Sequence, residues 1–95
     1  MSLSQAQITN IPDSNFEKAL VDLEIDLDGE INGQVLTDDI DDIVNLNIFN
    51  KGIADLTGIE GFTSLEVLNC ANNDLETIDI SNNLELIELN CSSNN

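Results

Sequence analysis

Residues 65 to 73, Leu-Glu-Val-Leu-Asn-Cys-Ala-Asn-Asn, return 21 positions later as residues 86 to 94, Leu-Ile-Glu-Leu-Asn-Cys-Ser-Ser-Asn. In a chain of 95 residues this echo constrains the fold more than any single motif. A period of that length means one supersecondary unit stacked on copies of itself, each too small to bury its apolar face alone. The same frame runs once more upstream, where Ile43, Leu46, Ile48 and Ile53 stand 22 residues before Leu65, Leu68, Cys70 and Leu75. About three turns of one coil follow.

Leu65, Leu68, Cys70, Asn73 and Leu75 fill the pattern L-x-x-L-x-L/C-x-x-N-x-L, and Leu86, Leu89, Cys91 and Asn94 fill it again. That is the signature of a leucine-rich repeat, and the fold class it predicts is an α/β solenoid: a right-handed coil with a short parallel sheet. Strands are expected near residues 44 to 48, 67 to 70 and 88 to 91. Alternate strand residues point inward onto their equivalents in the next turn, so Leu68 and Cys70 are inward while Val67, Asn69 and Ala71 look out. Behind each strand the chain turns with its backbone polar groups buried, and an Asn side chain can bond them from inside. Asn73 and Asn94 form this structural Asn ladder. Lys51 holds the position in the first turn, next to Gly52, so the ladder begins irregularly. On the return side, Leu56 and Ile59, then Ile78 and Ile80, fit either a short strand or a 3₁₀ segment.

Three regions are expected: a frayed polar leader at residues 1 to 10, a helical N-terminal cap with an acidic loop at 11 to 42, and the repeats at 43 to 95. Helix-start chemistry lies at Ile11-Pro12-Asp13-Ser14-Asn15-Phe16-Glu17: Asp13 or Ser14 can cap, and Glu17 stands three after Ser14 as in a capping box. Phe16, Ala19, Leu20 and Leu23 keep helical spacing, which predicts an amphipathic helix over 14 to 23 that closes the first turn of the coil. A second short helix is expected after Thr37 as N-cap, with Asp38 and Asp39 in its first turn and Ile40 and Ile43 facing the core.

The net charge of −17, with two lysines, no arginine and no histidine, argues against nucleic acid or an anionic membrane as partner. It suits calcium, basic protein surfaces or plain solubility. No apolar run approaches the ~20 residues of a membrane span, and Met1 to Gln7 lacks the basic start and apolar stretch of a signal peptide. Met1-Ser2-Leu3 reads as an expression leader on a mature segment. Cys70 and Cys91 occupy one inward position of adjacent turns, ~4.8 Å apart by strand spacing. In-register side chains point the same way, so the pair is expected as stacked free thiols rather than a disulfide.

The segment Ile11 to Leu20, the loop Asp26-x-Asp28-Gly29-x-Ile31-Asn32-Gly33, and repeats with Leu-x-Cys-x-x-Asn followed by Leu-x-x-Ile-Asp-Ile-Ser-x-Asn together resemble leucine-rich-repeat surface proteins of Bacteroidetes-type bacteria. The capped arrangement is more loosely similar to internalins. The resemblance spans roughly residues 11 to 95 and implies a secreted or cell-surface protein whose repeats bind other macromolecules.

Two candidate sites emerge. With Gly29 at the sixth position of an EF-hand-type loop, Glu24, Asp26 and Asp28 fall at positions one, three and five and Asn32 at nine, with Glu30 between them. These oxygen donors make calcium the candidate cofactor. The bidentate acid of position twelve is replaced by Val35, so a further ligand would have to come from Asp38, Asp39 or Asp22. The plainer reading is a tight Asp-Gly turn with solvated acids. The second site is the outward strand surface: Asn45, Asn47 and Phe49 from turn one, Val67, Asn69 and Ala71 from turn two, and Glu88, Asn90 and Ser92 from turn three. Asn47, Asn69 and Asn90 form a column, and Phe49 beside Val67 supplies an apolar anchor. Stacked amides can also bond one another with no ligand.

Enzymatic readings find no support: there is no histidine, no phosphate-binding glycine loop and no Gly-x-Ser-x-Gly elbow. Without Trp or Tyr, sugar stacking is also disfavoured. The function expected is protein interaction or surface display through the concave face; the rival is a calcium-stabilised cap on a stalk. Leu86, Leu89 and Cys91 lack a following turn in this sequence, so either further repeats continue the array or two copies pair end to end.

Overall fold

The computed structural model describes residues 7–94. Its repeat region follows the spacing. Three strands, β3 (Asn45–Asn47), β4 (Val67–Asn69) and β5 (Glu88–Asn90), form a parallel sheet in the order β3-β4-β5. The register sets Leu46 on Leu68 on Leu89, and Asn47 on Asn69 on Asn90. Each strand is three residues long because the chain leaves the sheet through a left-handed residue at the same place in each turn: Asn50, Asn72 and Ser93, at φ of 56°, 57° and 57°. Leu46, Ile48, Ile53, Leu65, Leu68, Cys70 and Leu75 are buried as the repeat pattern requires. Leu89 is 38% exposed and Cys91 is exposed, since among the described residues no further strand covers β5.

The cap departs from expectation in four places. Residues 1–6 of the leader lie outside the described residues, but Ile8–Asn10 is a strand, β1, pairing antiparallel with β2 (Gln34–Leu36). Thr9 sits opposite Val35, and the ladder is extended by Thr37 N–H on the Gln7 carbonyl at 2.9 Å and Ile11 N–H on Gly33 at 2.9 Å. Val35, reached through this strand, is buried in the core. That is why it is apolar, and why it cannot close an ion-binding loop.

Secondly, the helix α1 (Ser14–Asp22) starts where expected and is capped by Asp13, one of the two candidates, whose Oδ1 accepts from Asn15 N–H at 2.9 Å and Phe16 N–H at 3.2 Å, but the capping box does not form. Glu17 does not reach back to close a capping box. It is fully buried and turns toward the loop instead. Thirdly, Leu23 is the C-cap of α1 and is exposed, so the buried face is Phe16, Ala19 and Leu20 with Glu17. Phe16 stacks on Phe62 of the first repeat, ring centroids 6.2 Å apart, which is how the helix lids the coil.

Finally, Thr37 is not an N-cap. Thr37–Asp39 is a single 3₁₀ turn whose cap residue is Leu36, and the Thr37 hydroxyl is spent on Thr9 across the β1-β2 ribbon at 2.8 Å. Ile40 is still fully buried and Ile43 packs against the core. On the return side, turn one contains a 3₁₀ segment, Ile59–Gly61, entered through Gly58.

Candidate functional site

The outward rows of the sheet make one continuous surface. Asn45, Asn47 and Phe49 are exposed, with Phe49 at 44%; Val67 and Asn69 are half-buried; Glu88, Asn90 and Ser92 are exposed. Ala71 is the exception. It was expected beside them but is only 3% exposed, because the chain has already turned inward past Cys70. The surface therefore comprises eight of the nine anticipated residues, and Ala71 belongs to the core edge.

The Asn column does not bond to itself. Each amide oxygen accepts from its own turn: Asn47 Oδ1 from Phe49 N–H at 3.2 Å, Asn69 Oδ1 from Ala71 N–H at 3.1 Å, and Asn90 Oδ1 from Ser92 N–H at 3.2 Å and Ser92 Oγ–H at 2.9 Å. These two-residue closures hold all three side chains in one orientation. Among the described residues the Nδ2 groups of Asn47, Asn69 and Asn90 donate to nothing in the chain, so three NH₂ donors stand in a line at strand spacing, ~4.8 Å apart. Phe49 offers an apolar surface at one end and the Glu88 carboxylate a negative charge at the other. The array can grip an extended carbonyl-rich surface; it holds no nucleophile and no acid-base pair.

Beneath that surface the Asn ladder is present. Asn73 Oδ1 accepts from Lys51 N–H at 2.9 Å and Ile53 N–H at 3.0 Å, and its Nδ2 donates to Ile48, Cys70 and Ala71 carbonyls at 2.9 to 3.2 Å. Asn94 repeats this, accepting from Leu75 N–H at 3.1 Å and donating to Cys70 and Cys91 carbonyls. Cys70 and Cys91 are both free thiols; burial, then the neighbouring Cys91, pushes the Cys70 thiol up to about 11.

On the opposite side, Asn83 is buried and donates through Nδ2 to Ile59 and Phe62 carbonyls at 2.9 and 3.1 Å. The repeat pattern does not point to it, since the residue 21 positions earlier is Phe62 and only the phrase Ser-Asn-Asn after Ile80 marks the turn. A groove of about 370 Å³ lies on that side between Asp55, Thr57, Glu60, Thr77 and Asp79. Asp55 and Asp79 each fold onto the hydroxyl two residues later, Thr57 and Ser81, at 2.6 Å, and these bonds hold both carboxyls below the ordinary range.

Of the five residues expected in the acidic loop, the structure gathers three. Glu24 is exposed in a left-handed conformation at φ 61° and Glu30 is exposed. Asp26, Asp28 and Asn32 do come together, joined by Glu17 from α1. Glu17 accepts Gly33 N–H at 2.7 Å and Asn32 N–H at 3.1 Å; Asp28 accepts Glu30 N–H at 2.8 Å and Asn32 Nδ2 at 3.3 Å. The backbone bond from Glu30 lowers the Asp28 carboxyl against the opposing effect of desolvation, and contacts with Asp26 and Asn32 add to the lowering. Asp26 is 2% exposed and neither of its oxygens receives a donor. Burial, then contact with Asp28 and Glu17, pushes its carboxyl up to about 7. Among the described residues no group of three or more His, Cys, Asp or Glu side chains is placed so as to hold a metal ion.

No protein-family model matches the chain, and no curated protein matches it. Solved structures do. The functional domain of InlJ from Listeria monocytogenes, which includes a cysteine ladder, is similar at 30% identity and a TM-score of 0.73, over 98% of this chain and 21% of that one. The internalins InlF and InlC2 from Listeria monocytogenes str. 4b F2365 are similar at 25% and 27% identity with TM-scores of 0.76 and 0.75. They cover 88% and 98% of this chain, and 24% and 42% of their own. The chain thus spans between about a fifth and two fifths of the length of these structures. Among the described residues no helix is long and apolar enough to cross a membrane.

Proposed function

We propose that this internalin-like leucine-rich-repeat protein is a protein-interaction module of a bacterial cell exterior, secreted or surface-held, that takes its partner on the concave sheet and carries out no chemistry of its own. The observation that carries this reading is the line of three uncommitted amide donors, Asn47, Asn69 and Asn90, beside exposed Phe49. An amide oxygen locked to its own turn leaves the NH₂ pre-oriented, so a partner pays little to order it. Carbonyl groups of an extended peptide are the matching chemistry, with an apolar side chain over Phe49 and Val67. The acidic balance favours a basic partner and sets a salt-dependent association rate. Three turns offer a small area, so affinity through this segment alone is modest.

The test is partner capture from the native host's surroundings with wild type and with Asn69→Arg/Asn90→Arg. The double variant should lose the partner while its melting temperature stays near wild type, since both side chains hydrogen-bond only within their own turns. Capture that survives the double change would place binding elsewhere.

A second reading is favoured by one observation, the buried and unpartnered Asp26 carboxylate: a calcium-stabilised cap holding the N-terminal end of the coil, with the repeats as a stalk. Calcium titration followed by calorimetry tests it, and absence of both heat and thermal shift would end it.

A further inference from the structure

Strand β5 is paired on one side only. Its Glu88 N–H donates to the Glu66 carbonyl, and the Asn90 and Ser92 carbonyls accept from Cys70 and Asn72 N–H, so these groups face β4. Backbone groups alternate along a strand, which turns the N–H and C=O of Leu89 and Cys91 to the outer edge. Leu46 and Leu68 are 0% and 1% exposed, whereas Leu89, third in that stack, is 38% exposed. Leu84 and Ile87, which lead into β5, are 85% and 79% exposed, the highest values among the large apolar side chains described. An edge that combines free backbone groups with apolar side chains is a template for another strand.

The strand that fits this edge is β5 itself. A two-fold axis beside Leu89 sets β5 antiparallel to its copy, with Leu89 facing Leu89, Ile87 opposite the partner's Cys91 and Glu88 opposite the partner's Asn90. Opposed residues of an antiparallel pair share a face, so Leu89, Ile87 and Cys91 gather on the apolar side while Glu88 and the partner's Asn90 meet on the concave side. Asn90 Oδ1 is held by Ser92, and its Nδ2 donates to nothing among the described residues. The Glu88 carboxylate supplies the missing acceptor, once on each side of the axis. The outward N–H and C=O of Leu89 bond their equivalents, and Cys91 N–H reaches the carbonyl opposite it at Ile87. Neighbouring registers fit worse. An axis at Glu88 opposes two carboxylates, and an axis at Asn90 sets Glu88 against the Ser92 hydroxyl, already bonded to Asn90, and Ile87 against Ser93, where the chain leaves the strand at φ 57°.

We infer that two copies of the chain pair end to end through β5 in this register, joining two three-stranded sheets into one of six strands. The interface is isologous, each copy giving the other what it receives. The inference goes beyond the concave-face reading and does not depend on it, but it bears on it: the two concave faces become one surface, and an Asn90 amide bonded to Glu88 through one hydrogen keeps its second for a ligand. A net charge of −17 on each copy opposes the approach, so the pairing is driven by apolar burial and the new strand ladder and strengthens as salt screens the charge. The contact is small, so it shows at high protein concentration.

The experiment is sedimentation equilibrium of the whole chain under reducing conditions, from about 10 μM to about 1 mM. Wild type should pass from monomer to dimer across that range, and more readily at about 0.5 M salt than at about 0.05 M. Ile87→Lys, at an exposed position counted twice in the interface, should weaken pairing at least about tenfold while the dilute protein melts near wild type. Asn47→Arg, on the same face but two strands from the edge, should not weaken it. The register has its own readout. Opposed residues 88 and 90 form a pair with Cα atoms about 4.5 Å apart, so mild oxidation of Glu88→Cys/Asn90→Cys should give a covalent dimer whose peptide map joins position 88 of one chain to position 90 of the other. A monomer at the top of the range in both salts overturns the pairing. A dimer indifferent to Ile87→Lys, or lost in Asn47→Arg, puts self-association on another face and overturns it too. Links from 88 to 88 or 90 to 90 overturn the register, and growth beyond a dimer overturns the two-fold.

Discussion

Asp13 fastens Ala54 to the cap: its Oδ2 accepts Ala54 N–H at 2.8 Å and Asp55 N–H at 2.9 Å, while its Oδ1 caps helix α1. One carboxylate thus joins the lid to the first return segment of the coil. Asp13→Ala should cost about 2 kcal/mol, the helix cap and the bridge each contributing about half. Asp13→Asn should recover only the cap, since an amide nitrogen cannot accept from Ala54. Urea unfolding of the two variants separates the contributions; equal losses would mean the cap is worth nothing, and no loss in Asp13→Asn would mean the bridge is worth nothing.

Asn73 has five bonds inside the coil, two accepted and three donated, and is buried. Asn73→Ala should cost about 3 kcal/mol, because Lys51 and Ile53 N–H groups and three carbonyls lose their partner with little water to replace it. Asn94→Ala should cost less than half as much, its site being only partly buried. A comparable loss at both positions would show that local turn formation, not burial, sets the value.

The reason these bonds were readable in advance, and those of the cap were not, is periodicity. Leu68 over Leu89 and Asn73 over Asn94 are specified twice, so an error in one copy is corrected by the other. The concave face was legible for the same reason, apart from Ala71, where the strand ends a residue early and the chain turns in. The cap occurs once. Strands β1 and β2 are too short to show alternation, and both are fixed by pairing with each other across the helix. Glu17 looked like half of a capping box because sequence spacing gives local partners only; its actual partners, Asn32 and Gly33, are fifteen and sixteen residues away.

Cys70 and Cys91 should differ sharply in reactivity. Cys70 is buried with its thiol held up to about 11, while Cys91 is exposed. In native buffer near neutral pH an alkylating reagent should label one thiol quickly and the second only after denaturation. Rapid labelling of both would mean that the third turn opens readily.

Gly58→Ala should be among the most damaging small substitutions. At φ 109° its new Cβ would meet the Ile11 side chain and lie 2.7 Å from the Asn10 carbonyl oxygen, so the end of β1 must move. A loss of about 2 kcal/mol or more is expected. Gly29→Ala, at φ 70° with nothing near the added carbon, should cost about 1 kcal/mol from backbone strain alone. The two melting curves decide whether contact or conformation dominates.

The Asp26 carboxyl makes the chelated protein less stable as pH rises. Burial first, then Asp28 and Glu17, lift it from 3.8 to about 7 in the folded chain, while the unfolded chain releases the same proton near 3.8. Between these values the folded state binds more protons than the unfolded one, so stability falls with rising pH through that window and levels off above it. Asp28, Asp55 and Asp79 act in the opposite sense: lowered in the fold, they withdraw stability as pH drops through and below 3.8. Urea midpoints in chelator should therefore decline for wild type between about pH 4 and pH 7, and Asp26→Asn should flatten that decline. The rest of the acidic surface also repels itself as it ionises, so the difference between the two proteins is the quantity to read. Parallel profiles would show that Asp26 titrates as an ordinary exposed acid.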